Sequence, residues 1–193
     1  MKTSITFIIA LFALTAIAAA DPIETGLLTL TGVNGQSADS FYVSPYTALL
    51  GTENLTVFCD DVLDEVSVGQ SWEVNVYSGL DTTGAKYDSG DYPVLFALAL
   101  QDTPADYVAT QQAMWTETDP GFSGATAASN ALLATAQGNA SSVDLADWDV
   151  LTPTGTGQEF IVDAVDATPE PKTAVLMIGA GLMTLALLKR KRA

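Results

Sequence analysis

Histidine is absent from all 193 residues, cysteine occurs once, at Cys59, and between residues 21 and 168 one cation, Lys86, stands against every acid of the chain except Glu170. Each scarcity removes a class of function. Without histidine there is no ordinary general base, no Ser-His or Cys-His nucleophile pair, and no common transition-metal ligand. One cysteine builds neither a disulfide framework nor a structural zinc site. A region with a single cation has no basic surface with which to displace counterions, so nucleic acid is excluded as a natural partner. The same charge disfavours anionic lipid and leaves divalent cations, cationic surfaces and neutral polysaccharide open. It also serves solubility alone through self-repulsion. The acid runs "CDDVLDE" and "YDSGDY" supply oxygens, but neither matches the twelve-residue calcium loop, and no metal or cofactor is expected.

The two ends carry what the middle lacks. Lys2 precedes an uncharged apolar run from Ile5 to Ala18, and Ala18-Ala19-Ala20 places small residues where a signal peptidase cuts. Residues 1–20 are therefore expected to be a secretory signal peptide removed after Ala20. Residues 166–172 form a short linker holding Pro169, Glu170 and Pro171. Residues 173–188 are uncharged and mostly apolar, and residues 189–193 open with Lys189-Arg190-Lys191-Arg192. A sixteen-residue helix spans roughly 24 Å at ~1.5 Å per residue, slightly under a bilayer core, a deficit that snorkelling side chains absorb. The expectation is a single transmembrane helix with its basic tail in the cytoplasm.

Pro-Glu-Pro, apolar helix and basic cluster, in that order at the C-terminus, resemble the PEP-CTERM sorting signal of exported proteins in Gram-negative bacteria. The resemblance covers about the last 25 residues. It implies that Pro169, Glu170 and Pro171 are read by the membrane protease exosortase, which removes the helix. It also implies an inner-membrane anchor before processing, then residence in the cell envelope or outside the cell. Such proteins accompany exopolysaccharide and biofilm production.

Residues 21–165 are long enough for one domain with a real core. Short segments rich in Val, Thr and aromatics, at 26–33, 40–51, 54–60, 64–69 and 71–79, read as strands. Ser71 to Tyr77 alternates, with Trp72, Val74 and Val76 on one face. The period then changes. Helices are expected at 92–101 with Pro93 in the first turn, at 103–115 capped by Thr103, and at 123–138 from a serine cap to Gly138. The segments 144–153 and 157–165 follow, the second a strand. The fold class is α+β: an antiparallel β-rich barrel or sandwich with a helical insertion. On the second helix Tyr107, Val108, Met114 and Trp115 form an apolar stripe with Gln111 at its centre. That amide either satisfies backbone in the core or lines a cleft.

An exported thiol without a partner is unusual, because oxidising compartments pair cysteines. Phe58-Cys59-Asp60-Asp61, followed by Thr110, Gln111, Ala113, Met114 and Trp115, resembles the aromatic-Cys-x-acid and Thr-Gln-x-Ala-aliphatic-Trp motifs of bacterial thioester domains. The resemblance spans roughly residues 55 to 165 by order of elements. It implies that Cys59 condenses with a glutamine of a late strand, expelling ammonia. Gln158 is the glutamine at that place, and Gln111 and Trp115 would line the thioester cleft. A capped thiol is protected from oxidation, whereas an uncapped Cys59 is simply a small buried hydrophobe.

Three functions follow. The first is a non-enzymatic, exported cell-surface or matrix protein that binds polysaccharide through Trp72, Trp148 or nearby tyrosines. The second is a covalent adhesin that captures surface amines at a Cys59–Gln158 thioester. The third is a carboxylate-based glycan hydrolase, for which no acid pair stands out.

Overall fold

A computed structural model describes residues 21–165. The signal peptide, the linker with Pro169, Glu170 and Pro171, the apolar segment 173–188 and the tail 189–193 lie outside the described residues. Among the described residues no helix is long and apolar enough to cross a membrane.

Six strands close an antiparallel barrel. They are β1 (Glu24–Val33), β4 (Tyr46–Leu50), β5 (Glu53–Cys59), β6 (Ser71–Ser78), β7 (Trp148–Pro153) and β8 (Phe160–Asp163). The order is β1-β4-β5-β8-β7-β6, and β6 pairs back onto β1. A minimal hairpin of β2 (Ser37–Ala38) and β3 (Phe41–Tyr42) stands beside it. Three helices, α1 (Tyr92–Gln101), α2 (Tyr107–Thr118) and α3 (Ala127–Asn139), are inserted between β6 and β7. The architecture is α+β and the sheet is a barrel rather than a sandwich.

Strand alternation divides the core in two. Leu28, Val57, Cys59, Trp72, Val74 and Phe160 fill the barrel interior. Tyr92, Phe96, Met114, Trp148, Val150 and Ile161 form a second cluster between the helices and the outer face of β7 and β8. There the Phe96 and Trp148 rings stack 5.1 Å apart. A strand covered on both faces should be apolar at successive positions, and every residue of β7 from Trp148 to Thr152 is buried. Trp72 and Trp148 are both core residues, 7% and 3% exposed, so neither presents a surface to polysaccharide.

The helix α1 falls where its sequence places it, with Pro93 in the first turn. It is buried on nearly every side, as expected of a helix that is apolar all round. The other two begin later than their sequences suggest. Thr103 does not cap α2: its hydroxyl donates to the Asp106 carboxylate at 2.6 Å, and its carbonyl accepts from the Asp106 and Tyr107 amides. The chain makes a turn there before α2 starts. In α3 the cap is Thr126, which exchanges reciprocal bonds with Ser129 as a capping box, and Gly138 lies inside the last turn. The 40–51 segment is two short strands joined through a cis Ser44–Pro45 bond. Residues 64–69 are a loop: Val68 is 50% exposed, the run bonds a neighbouring strand only at its end, where the Gly69 amide donates to the Leu30 carbonyl at 2.7 Å, and an alternating run without a paired neighbour along its length forms no strand.

Candidate functional site

The site lies where β5 ends and β8 begins. In the ladder Cys59 faces Phe160, so continuing the register sets Asp60 opposite Glu159 and Asp61 opposite Gln158. Alternation then divides these residues as it divides the core. Cys59 joins the barrel cluster, and the Asp60 and Glu159 carboxyls come together on the helix side.

Cys59 and Gln158 meet at one atom. The carbonyl of Asp61 accepts the Cys59 thiol at 3.1 Å and the Gln158 amide Nε2 at 2.6 Å. Two donors on one oxygen are separated by no more than about 6 Å, given ordinary bond lengths. Cys59 is fully buried and Gln158 is 9% exposed. Gln158 lines a cleft of about 320 Å³, shared with Phe41, Tyr42, Tyr46 and Trp115. The thiol sits behind that wall. Gly157 lets β8 enter against the barrel: a Cβ there would come 2.5 Å from the Trp72 ring.

Gln111 is fully buried and does not reach the cleft. Its Oε1 accepts from the Ser44 amide at 2.9 Å and the Ser44 hydroxyl at 2.6 Å, and its Nε2 donates to the Cys59 carbonyl at 2.6 Å. Ser44 Oγ in turn accepts the Cys59 amide at 2.6 Å. The ring of bonds ties α2, the 43–45 segment and the end of β5 together, so the core alternative holds for this amide. Thr118, at the far end of α2, donates to the Asp60 carbonyl at 2.7 Å. The helix thus grips the Cys59-Asp60 backbone at two carbonyls.

Trp115 lines the cleft that Gln158 borders. It is 1% exposed and wedged edge-on against Phe41 and Phe122, at 6.1 and 5.4 Å. Its indole N–H makes no hydrogen bond of ordinary geometry, although it faces the Cys59 sulfur closely enough to favour the thiolate. Burial pushes the Cys59 thiol far above its usual range, an ionised Asp60 would add to this, and the Trp115 N–H opposes it. The resting sulfur is a neutral thiol.

Several residues were invisible to sequence reasoning. Lys86 Nζ pairs with the carboxylates of Asp61 and Asp64, so two acids of the "CDDVLDE" run bind the chain's own cation. Tyr87 also donates to Asp61, at 3.0 Å. Behind the ladder, Glu159 accepts from Tyr92 OH at 2.7 Å, Thr152 OH at 2.6 Å and the Lys86 amide at 2.9 Å. Asp60 is fully buried beside it, and burial followed by the Glu159 charge holds its carboxyl well above the usual range. As a carboxylate Asp60 would leave both oxygens unpartnered. With a proton it donates to Glu159, the member already supplied with three donors. One proton between the two carboxyls therefore resides on Asp60.

Among the described residues no group of three His, Cys, Asp or Glu is placed to hold a metal ion. No family model, curated protein or solved structure matches the chain.

Proposed function

We propose that the chain is an exported surface protein that tethers itself covalently to amines through an internal thioester between Cys59 and Gln158. The observation that carries this reading is the shared acceptor: thiol and carboxamide converge on the Asp61 carbonyl. In closure, the sulfur bonds to the Gln158 amide carbon, the C–N bond breaks, and the nitrogen departs as ammonia with the thiol proton. In use, a primary amine bonds to the same carbon, the C–S bond breaks, and Cys59 recovers its proton from the amine. The arrangement suits that order. Gln158 borders the cleft, where a nucleophile arrives, while the leaving sulfur is held in the dry core. Neither step uses histidine, metal or cofactor, and neither turns over, so the protein is not an enzyme. The export signals at the two ends supply the setting: sorting by the Pro169-Glu170-Pro171 tail, processing by exosortase, and partners at the cell surface or in an exopolysaccharide matrix.

A second reading, non-covalent matrix binding, is favoured by one feature. Tyr42 is 56% exposed at the rim of the cleft, an aromatic face open to a sugar ring. A glycan hydrolase has less support, because two of the three acids at that cleft, Asp61 and Asp64, are engaged by Lys86, which leaves Glu65 without a free carboxylate partner there.

Intact mass of the secreted chain, with and without methylamine, tests the proposal. The expected result is a chain lighter than its sequence by one ammonia, which gains one methylamine on incubation. Cys59→Ala and Gln158→Ala each restore the full mass and abolish the uptake. A full-mass parent chain whose Cys59 alkylates after denaturation removes the thioester. In that event polysaccharide retention that is lost in Tyr42→Ala supports the matrix reading.

A further inference from the structure

The Trp115 indole N–H is a buried donor that makes no hydrogen bond of ordinary geometry. A donor in that position costs about 1–3 kcal/mol, and native structures keep few of them without a use. The ring is not free to seek a partner elsewhere, since Phe41 and Phe122 hold it from two sides. Trp115 and Cys59 share the barrel core, and the indole N–H lies near enough to the sulfur to oppose the rise of the thiol; the sulfur is a poor acceptor while it is a thiol whose own hydrogen is given to Asp61.

The sulfur is a better acceptor at two moments only, when it attacks Gln158 as a thiolate and when an amine expels it. In both it carries negative charge inside the barrel core, where an unsupported anion is costly. The other groups nearby cannot help. The Asp61 carbonyl is itself an acceptor, Lys86 is held by Asp61 and Asp64, and the Tyr46 hydroxyl is given to the Tyr42 carbonyl. Trp115 is the donor left over; the other unpartnered indole of the barrel, Trp72, lies against Gly157 and Phe160.

We propose that Trp115 is a catalytic residue whose indole N–H donates to the Cys59 sulfur while that sulfur is charged, in thioester closure and again in aminolysis. The inference rests on the thioester reading above and gives a specific task to the tryptophan that ends the second motif. The N–H is in place before the charge appears, so it needs no reorganisation when the bond breaks.

The test replaces Trp115 in the full secreted chain with 3-benzothienylalanine, which keeps the ring's shape and drops only the N–H. Methylamine uptake is followed by intact mass. The expected result is uptake slowed about tenfold to a thousandfold, the range for loss of one preorganised donor. A folded chain that keeps its full mass, never having closed, is the same result in stronger form. Thermal stability should be unchanged or higher, because the deleted N–H had no partner to lose. Uptake at the parental rate overturns the donor role and leaves Trp115 as packing, with the thioester intact. Absence of the ammonia deficit in the parent chain removes the thioester reading and this proposal with it, so the two failures are told apart by which chain shows them.

Discussion

Gln111→Leu is expected to destabilise the protein by about 4 kcal/mol, far more than a typical core substitution. Leucine is close to glutamine in size, so the change opens no large cavity. The cost is in the bonds. Gln111 satisfies the Ser44 amide and hydroxyl with one oxygen and the Cys59 carbonyl with its nitrogen. The Ser44 hydroxyl still accepts the Cys59 amide after the change, but the Ser44 N–H and the Cys59 C=O are left buried and unpaired. Each such group costs roughly 1–3 kcal/mol. Urea unfolding reads the effect as a lower midpoint at unchanged slope. Gln111→Glu should fare no better, because a carboxylate placed against the Cys59 carbonyl sets acceptor against acceptor. The variant should also fail to close the thioester while retaining both reacting groups, since the backbone that aims Cys59 is no longer gripped. A loss below about 1 kcal/mol would show that this ring of bonds does not hold the site.

Gln111 also shows how far the sequence could be read. Its place on the apolar stripe of α2 is a matter of helical period, so burial was foreseeable. Its partners were not, because Ser44 lies 67 positions away and only the closed barrel brings the two together. The barrel strands themselves were legible wherever one face is apolar and the other wet, as in β6. β7 was harder, since helices cover its outer face and its alternation disappears. The 64–69 run has the composition of a strand without a partner, and composition cannot supply one. Thr103 and Thr126 are both residues that cap helices; which one does so depends on whether the preceding turn uses its hydroxyl, as Asp106 does for Thr103.

The pair proposed to react is half legible. Cys59 stands out because it is alone, and Gln158 because it is the glutamine of the expected last strand, although β8 itself begins only at Phe160. The structure brings the two to one carbonyl. The acid pair behind them had no such signal. Asp60 reads as one of many acids on a solvated surface, and Glu159 as another. Only the ladder register, with Cys59 opposite Phe160, puts them face to face. That register follows from barrel closure, which no local pattern encodes.

The acid pair gives the second large effect, with an unusual sign. Asp60→Asn, a buried substitution, is expected to stabilise the protein at neutral and alkaline pH. In the folded chain Asp60 holds its proton, because burial and the Glu159 charge raise its carboxyl well above the usual range. In the unfolded chain it titrates near pH 4. Below that pH both states are protonated and the full stability is present. Above it the folded state binds the extra proton, so stability falls by about 1.4 kcal/mol per pH unit until the folded-state value is passed. Asparagine is neutral at every pH and can donate to Glu159 as the acid does, so it should not share this loss. The two chains should therefore be similar at low pH and diverge steadily from about pH 4 upward, with the variant the more stable. The difference between the two curves isolates Asp60 from the other groups facing it: Cys59 on β5, Asp61 beyond it, Lys86 and Tyr87 in the loop, Tyr92 on α1 and Glu159 before β8. Infrared spectra supply a direct check, since the carbonyl band of a protonated carboxylic acid should be present in the parent at neutral pH and lost in the variant. Parallel stability curves, or no such band in the parent, would place the proton elsewhere. The same neutrality matters to the thiol. An ionised Asp60 raises the Cys59 thiol further and would oppose the negative charge that closure and aminolysis place on the sulfur. Asp60→Asn should therefore keep the ammonia deficit and the methylamine uptake of the parent chain, while Glu159→Ala, which leaves Tyr92, Thr152 and the Lys86 amide without their acceptor, should lose stability at every pH.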